Sequence, residues 1–449
     1  MFLHPFRLFA CAAGLPLIAL SAQAGDWPQW VGAGRDGKVT EFKAPETWPK
    51  ELVKKWSVPV GDGVATPARA GDRLYVFTRQ DGAEVTRCLN AESGEELWED
   101  RYDALGADGP ARGFSGPRCS PAVADGKVVT LGVRGVLSCL DAETGTVLWR
   151  KDDFRGSWPS FYTSSSPLVV EGLCIAQLGG REDGAIVAYA LENGEEKWRW
   201  TGDGTAYASP VRVESGGQSL LVAVTDSKVV AVNIGDGKLA WETPFRVQGR
   251  GYNSATPVFD GSKVYYGGSN RGITAVQLGK EGDSYAGKEL WKNEEQSIGF
   301  STPVLKDGHL YGLTGDNTIF CIDASDGKTR WTQALSGAEA GQPAVQPQRE
   351  EPGRAQGQQQ GNEGRRRGGG RGGRGGGGGG GYGSLVDAGD VIFLLTPAAE
   401  LVAFKPGPDA YAELARIKVA DSATHAFPVV TETGIYIKDQ DSVTLWTLP

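Results

Sequence analysis

The residues best placed to do chemistry in this sequence are arginines and aromatic rings that recur just ahead of a Ser/Thr-Pro step. The steps are Thr66-Pro67, Ser120-Pro121, Ser166-Pro167, Ser209-Pro210, Thr256-Pro257 and Thr302-Pro303, with Phe427-Pro428 as a relative. Upstream of them stand Arg112, Phe114 and Arg118; Trp158, Phe161 and Tyr162; Tyr207; Arg250, Tyr252 and Asn253; Phe300; and His425. Guanidinium groups fork onto carboxylates and phosphates, and aromatic faces stack on planar groups or cations. Gathered in one concavity, such residues suit a small anionic ligand or an acidic peptide segment. Packed on one another, the same rings only seal a channel.

Other chemistries have little to work with. The histidines are His4, His309 and His425, and His309 sits at a turn edge in Asp307-Gly308-His309-Leu310. No CxxCH, paired CxxC, HExxH, GxSxG or phosphate loop occurs. Asp439-Gln440-Asp441 and Gly315-Asp316-Asn317 read as turns, so no catalytic residue and no metal ligand set is expected. Cys88, Cys139 and Cys321 share one repeat position, before Leu or Ile and then Asn or Asp. Equivalent positions in separate repeats stand too far apart for a disulfide. They read as small buried hydrophobes.

What must position the arginines and rings is a repeat. A Gly is followed four residues later by a Trp in Gly94/Trp98, Gly145/Trp149, Gly194/Trp198, Gly237/Trp241, Gly287/Trp291 and Gly327/Trp331. Each pair closes a longer phrase of short apolar strands, clearest from Ser120-Pro121 through Leu140-Asp141-Ala142-Glu143-Thr144-Gly145 to Trp149. A four-stranded sheet of this size cannot bury both faces alone, and radial stacking lets each blade cover its neighbour. The Gly is expected in a turn needing positive φ, and the Trp on the neighbouring blade. A seventh strand set follows at Val391–Leu395 and Glu400–Phe404, and an eighth runs to Thr447 without an outer strand. Leu52 to Val58, with Trp56, reads as the missing strand. The expectation is an all-β, eight-bladed propeller of four-stranded antiparallel blades, its ring closed by the N-terminal strand; seven blades is the alternative.

The ends and composition bound the setting. Arg7, an apolar run from Leu8 to Leu20 and Ser21-Ala22-Gln23-Ala24 form a signal peptide over 1–24, which implies export to the periplasm or cell envelope. The rest, 25–449, reads as one propeller domain. Net charge is −9, which argues against nucleic acid as a specific partner. No later stretch is apolar enough to cross a bilayer, and a monomer is expected. One segment, 346–383, is Gly, Arg and Gln with almost no apolar residue; it reads as a disordered insertion.

The repeated Leu140 to Gly145 phrase with Trp149 resembles the tryptophan-docking repeat of the pyrroloquinoline-quinone (PQQ) β-propeller superfamily, over nearly all of the chain except the insertion. That resemblance implies one of two activities. Quinoprotein alcohol and sugar dehydrogenases hold PQQ with calcium over the central channel, typically against an adjacent Cys-Cys pair. Cofactor-free BamB-like relatives bind proteins. No two cysteines here are neighbours, no calcium set carries over, and dehydrogenase chains are longer. The resemblance therefore implies a non-catalytic binding or scaffolding module without cofactor, with a PQQ-dependent dehydrogenase as the alternative. If the insertion is a surface loop, deleting 346–383 leaves the melting temperature nearly unchanged, because closure entropy varies slowly with loop length. A large drop in a thermal scan would mean that part of it is folded.

Overall fold

The computed structural model describes residues 25–247, 251–282, 284–335 and 381–449. Residues 1–24, where a signal peptide is expected, Arg250, and 346–380 of the Gly/Arg-rich segment lie outside these described residues. All regular structure among the described residues is β, apart from a single 3-10 turn at Gly109–Ala111. Thirty-two strands form eight separate four-stranded sheets. Blade 1 runs from Ala68–Ala70 to Glu96–Asp103, and blade 2 from Ala122–Ala124 to Val147–Lys151. Blades 3 to 6 begin at Leu168–Val170, Val211–Ser215, Val258–Asp260 and Val304–Lys306. Blade 7 is complete, from Ser384–Asp387 to Ala412–Lys418, so the ring has eight blades and not seven.

Ring closure follows the sequence reading. Val53–Pro59 pairs antiparallel with Ser442–Thr447, with Val53 opposite Thr447 and Val58 opposite Val443. The eighth sheet is therefore built from both ends of the chain, which removes two free edges. Lys438 reinforces the seam. Its buried ammonium donates to the carbonyls of Gly61 and Gly63, which lead into blade 1, at 3.2 and 3.0 Å. Burial pulls its pKa down to about 8.

The Gly–Trp pairs act between blades. A Cβ on Gly145 would lie 2.5 Å from Trp98 of the preceding blade, and the same contact joins Gly94 to Trp56, Gly194 to Trp149, Gly237 to Trp198, Gly287 to Trp241 and Gly327 to Trp291. Indole N–H groups then donate onward, from Trp98 to Ala142 O at 3.1 Å, Trp149 to Leu191 O at 3.0 Å, Trp198 to Ile234 O at 2.7 Å, Trp291 to Ala324 O at 3.0 Å and Trp331 to Gly407 O at 2.8 Å. Trp98, Trp149 and Trp331 stand opposite Cys88, Cys139 and Cys321, and each pair is followed by a β-bulge. A small residue opposite the indole leaves room for it to lean onto the next blade. All five described cysteines are buried and free.

One expectation fails at Gly287. The other five glycines have φ between +68° and +75°, but Gly287 lies inside the strand Ser284–Asn293. Blade 5 extends its hairpin beyond the usual turn, so the glycine no longer shapes a turn there. It remains because a side chain would strike Trp241.

The Ser/Thr-Pro steps form a second, interrupted ring around the axis, broken at Ser120 Oγ, which is buried without a partner. Ser120 N donates to Ser166 Oγ at 2.9 Å, Ser166 N to Ser209 Oγ at 2.9 Å, Ser209 N to Thr256 Oγ1 at 3.2 Å, and Thr256 N to Thr302 Oγ1 at 3.2 Å. Phe427 N donates to Thr66 Oγ1 at 2.9 Å. Below this ring the segment 25–51 crosses the channel. Trp27 bridges Arg69, Pro28 O accepts from Val123 N at 2.7 Å, Trp30 Nε1 donates to Thr256 Oγ1 at 3.1 Å, and Lys38 bridges Asp387. The channel is thereby plugged by the chain's own N-terminal segment.

Glycine substitutions separate turn strain from docking. Gly126 has φ +70° and open space around it, whereas Gly145 has φ +73° and faces Trp98. Gly126→Ala is expected to cost about 1–2 kcal/mol from backbone strain alone. Gly145→Ala adds about 1–3 kcal/mol of overpacking, and Gly287→Ala costs that second amount without the first. Urea titrations giving equal losses at Gly126 and Gly145 would remove the docking contribution.

Candidate functional site at the channel mouth

The loops leading into the blades converge over the axis on the face above the hydroxyl ring. Phe114 leads into blade 2 and His425 into blade 8, yet their ring centroids are 4.7 Å apart across blade 1. Phe161, leading into blade 3, meets Tyr252, leading into blade 5, at 4.9 Å. Residues from non-adjacent blades touch only near the axis. Two aromatic arcs result: Phe300, Tyr382, His425 and Phe114 on one side, and Phe161, Tyr252 and Tyr207 on the other. Tyr252 and Phe300 remain 36% and 38% exposed, so the arcs present faces to solvent while closing the channel beneath.

Arg118 stands between them, half-buried. It donates to Phe114 O at 2.8 Å and to Gly116 O at 3.4 Å, and lies over the Tyr162 ring at 6.0 Å. Burial holds its guanidinium below the ordinary arginine pKa. Among the described residues no carboxylate forms an ion pair with it. Tyr162 is buried with φ +67°, a backbone position that a non-glycine residue adopts at a cost. It is pinned there by Asp108, whose backbone N–H donates to the Tyr162 hydroxyl at 3.1 Å and whose carboxylate accepts from it. Burial lowers the His425 pKa to about 4, so the ring is neutral at pH 7.

The remaining sequence candidates divide. Arg112 is exposed on the rim. Asn253 is 3% exposed, and its amide donates to Thr225 O, Asp226 O and Phe245 O at 2.8, 3.1 and 3.2 Å. It clamps blade 4 to the loop into blade 5 and offers no group to the mouth. Arg250 lies outside the described residues. Three contributors were missed. Arg134 stacks over Trp158 at 4.8 Å and pairs with Asp108 at 3.2 Å. Buried Glu84, its pKa raised by burial, accepts from Val133 N at 2.7 Å and from the Tyr102 hydroxyl. Both lie inside blade hairpins, away from the Pro steps. Tyr382 stacks on Phe300 at 4.2 Å. It falls within 346–383, so the end of that segment is packed and a clean deletion stops at 380.

The residues at the mouth do not fit a quinone held with calcium. No group of three His, Cys, Asp or Glu among the described residues could hold a metal ion, and the mouth rings pack on each other within two arcs. Fold and site together define an eight-bladed PQQ-like β-propeller with an aromatic, cation-containing mouth. The family model described as outer membrane protein assembly factor BamB matches residues 81–333 and 282–406, and the chain belongs to this family. It is 26% identical to the assembly factor BamB of Burkholderia pseudomallei over 352 residues, 74% of this chain and 81% of that protein. The crystal structure of BamB from Moraxella catarrhalis superposes with a TM-score of 0.58 at 14% identity, covering 88% of this chain and 98% of that one. Quinohemoprotein alcohol dehydrogenase of Comamonas testosteroni is 30% identical over 196 residues, 40% of this chain and 26% of that protein. Its structure gives a TM-score of 0.63 at 14% identity over 95% of this chain and 82% of that one. No described helix is long and apolar enough to cross a membrane.

His425 makes stability at the mouth pH-dependent. Its folded pKa of about 4 lies below the ordinary 6.5, so unfolded chains bind a proton that folded ones reject. Stability is therefore full above pH 6.5 and falls as pH drops toward 4, by up to about 3 kcal/mol. His425→Gln should flatten this part of the curve in urea titrations from pH 7 to 4. Parallel curves for the two proteins would show that His425 carries none of it.

Proposed function

We propose that this protein is an exported, non-catalytic propeller that binds a protein segment at its aromatic mouth and serves as a scaffold in the cell envelope. The observation that carries this is the mouth itself. Exposed faces of Tyr252 and Phe300 flank the half-buried Arg118 guanidinium, which has no ion-pair partner among the described residues. Stacking with charge-assisted hydrogen bonding suits an acidic or aromatic peptide segment, or a small anionic ligand of the same chemistry. The propeller needs no second copy to complete this mouth, in keeping with a monomer. Relatives named as outer-membrane protein assembly factors support an envelope setting and a protein partner. The leader-like sequence over 1–24 supports export.

Photocrosslinking tests the mouth directly. A crosslinking residue at Tyr252 or Phe300 is expected to give a discrete adduct in native envelopes, and one at Leu97, exposed on an outer strand, is not. Equal labelling at all three positions would overturn the assignment. The quinoprotein reading is supported by the 30% identity to quinohemoprotein alcohol dehydrogenase of Comamonas testosteroni, which spans 196 residues and 26% of that protein. Dye reduction with alcohols or sugars after adding PQQ and calcium would favour it; none is expected.

A further inference from the structure

The N-terminal plug carries an arginine that neither the fold nor the mouth explains. Arg35 is 3% exposed in the middle of the channel. Its Nη1 donates to Pro167 O at 2.9 Å and Gln29 Oε1 at 3.2 Å, and its Nη2 to Ser166 O at 3.2 Å. Its Nε is buried without a hydrogen-bond partner. No carboxylate among the described residues forms an ion pair with it. Burial alone lowers its pKa from 12.5 to about 9, so it stays charged at neutral pH. An uncompensated buried charge is among the costliest groups a fold can hold.

Beside it is a small cavity of about 10 Å³, walled by Val31, Val258, Val304, Leu385 and Phe427 and reached by Thr302. This is room for one water molecule or one small ion. Thr302 Oγ1 accepts from Thr256 N at 3.2 Å, which leaves its hydroxyl proton free to donate. Asp36 also borders the cavity, but its carboxylate is turned to Lys38, accepting from the backbone N at 3.3 Å with the ammonium at 3.9 Å.

We propose that this cavity is a binding site for a small monovalent anion of halide type, held by Arg35 Nε and the Thr302 hydroxyl and seated where the plug meets blades 5 and 6. The apolar walls suit a weakly hydrated ion, and the size rejects sulfate or phosphate. Occupancy neutralises Arg35 and ties the plug to the ring, so the anion stabilises the closed channel. This site adjoins the hydroxyl ring, of which Thr302 is a member, on the side of the plug, and it needs no partner at the mouth.

The test pairs a titration with crystallography. At fixed ionic strength, replacing gluconate by chloride or bromide should raise the melting temperature by on the order of 1–3 °C, with saturation. Sulfate should give no such rise, and Arg35→Met should abolish it. If Arg35→Met does not fold, Thr302→Val removes one donor while keeping the charge, and it should shift the halide midpoint upward. Bromide-soaked crystals should show an anomalous peak beside Arg35 Nε. Equal response to all salts, an unchanged midpoint in Thr302→Val, or an ordered water without anomalous signal at that position would overturn the proposal.

Discussion

The ring depends on the contact of one blade's indole face with the next blade's glycine, which recurs at six of its joints. A four-stranded sheet buries its inner strands but leaves its two faces needing cover. A Trp leaning across the gap supplies a large apolar area, and its N–H settles on a carbonyl of the neighbour. That geometry tolerates no Cβ at the receiving position, and it is helped by Cys or Ala opposite the Trp and a bulge just beyond. At Trp56 the indole N–H finds no partner, and Tyr436 donates to the corresponding carbonyl of Ala91 at 3.0 Å instead. The joint between blades 8 and 1 thus relies on the tyrosine hydroxyl alone for that carbonyl, whereas Tyr75 and Trp98 both donate to Ala142 O at the next joint, and Lys438 adds its ammonium across the same boundary.

The same rigidity explains why the site can be built from loops. Eight blades hold the loops leading into them at fixed angles, and the Ser/Thr hydroxyls link them hand to hand around the axis. Aromatic side chains from non-adjacent blades then meet although they lie up to hundreds of residues apart. Because the plug blocks the channel below, the mouth is a shallow blind surface.

Much of the site's polarity is spent internally. Arg118 supports the loop carbonyls around it, Asn253 clamps two blades, and Asp108 holds Tyr162 in a strained conformation. Under the proposed function, binding at the mouth would rest on a few exposed rings and one half-buried guanidinium.

The repeat was legible in the sequence because most blades reuse one local solution: a strand period of two, a turn that needs Gly and one docking Trp, though Gly287 departs from the turn and blade 7 carries no Trp. Blade number and ring closure followed by counting strands and finding the missing one at Val53–Pro59. The buried cysteines were legible too, from their shared repeat position. What the sequence could not decide was which polar residues face one another across the axis. Asn253 looks like a mouth residue until its three carbonyl partners are seen. Tyr382 hides at the end of a Gly-rich run, Arg134 and Glu84 sit in hairpins without a motif, and Arg35 lies in a segment that follows no repeat. Their roles depend on contacts between blades that are far apart in the chain, and only the closed ring brings those surfaces together.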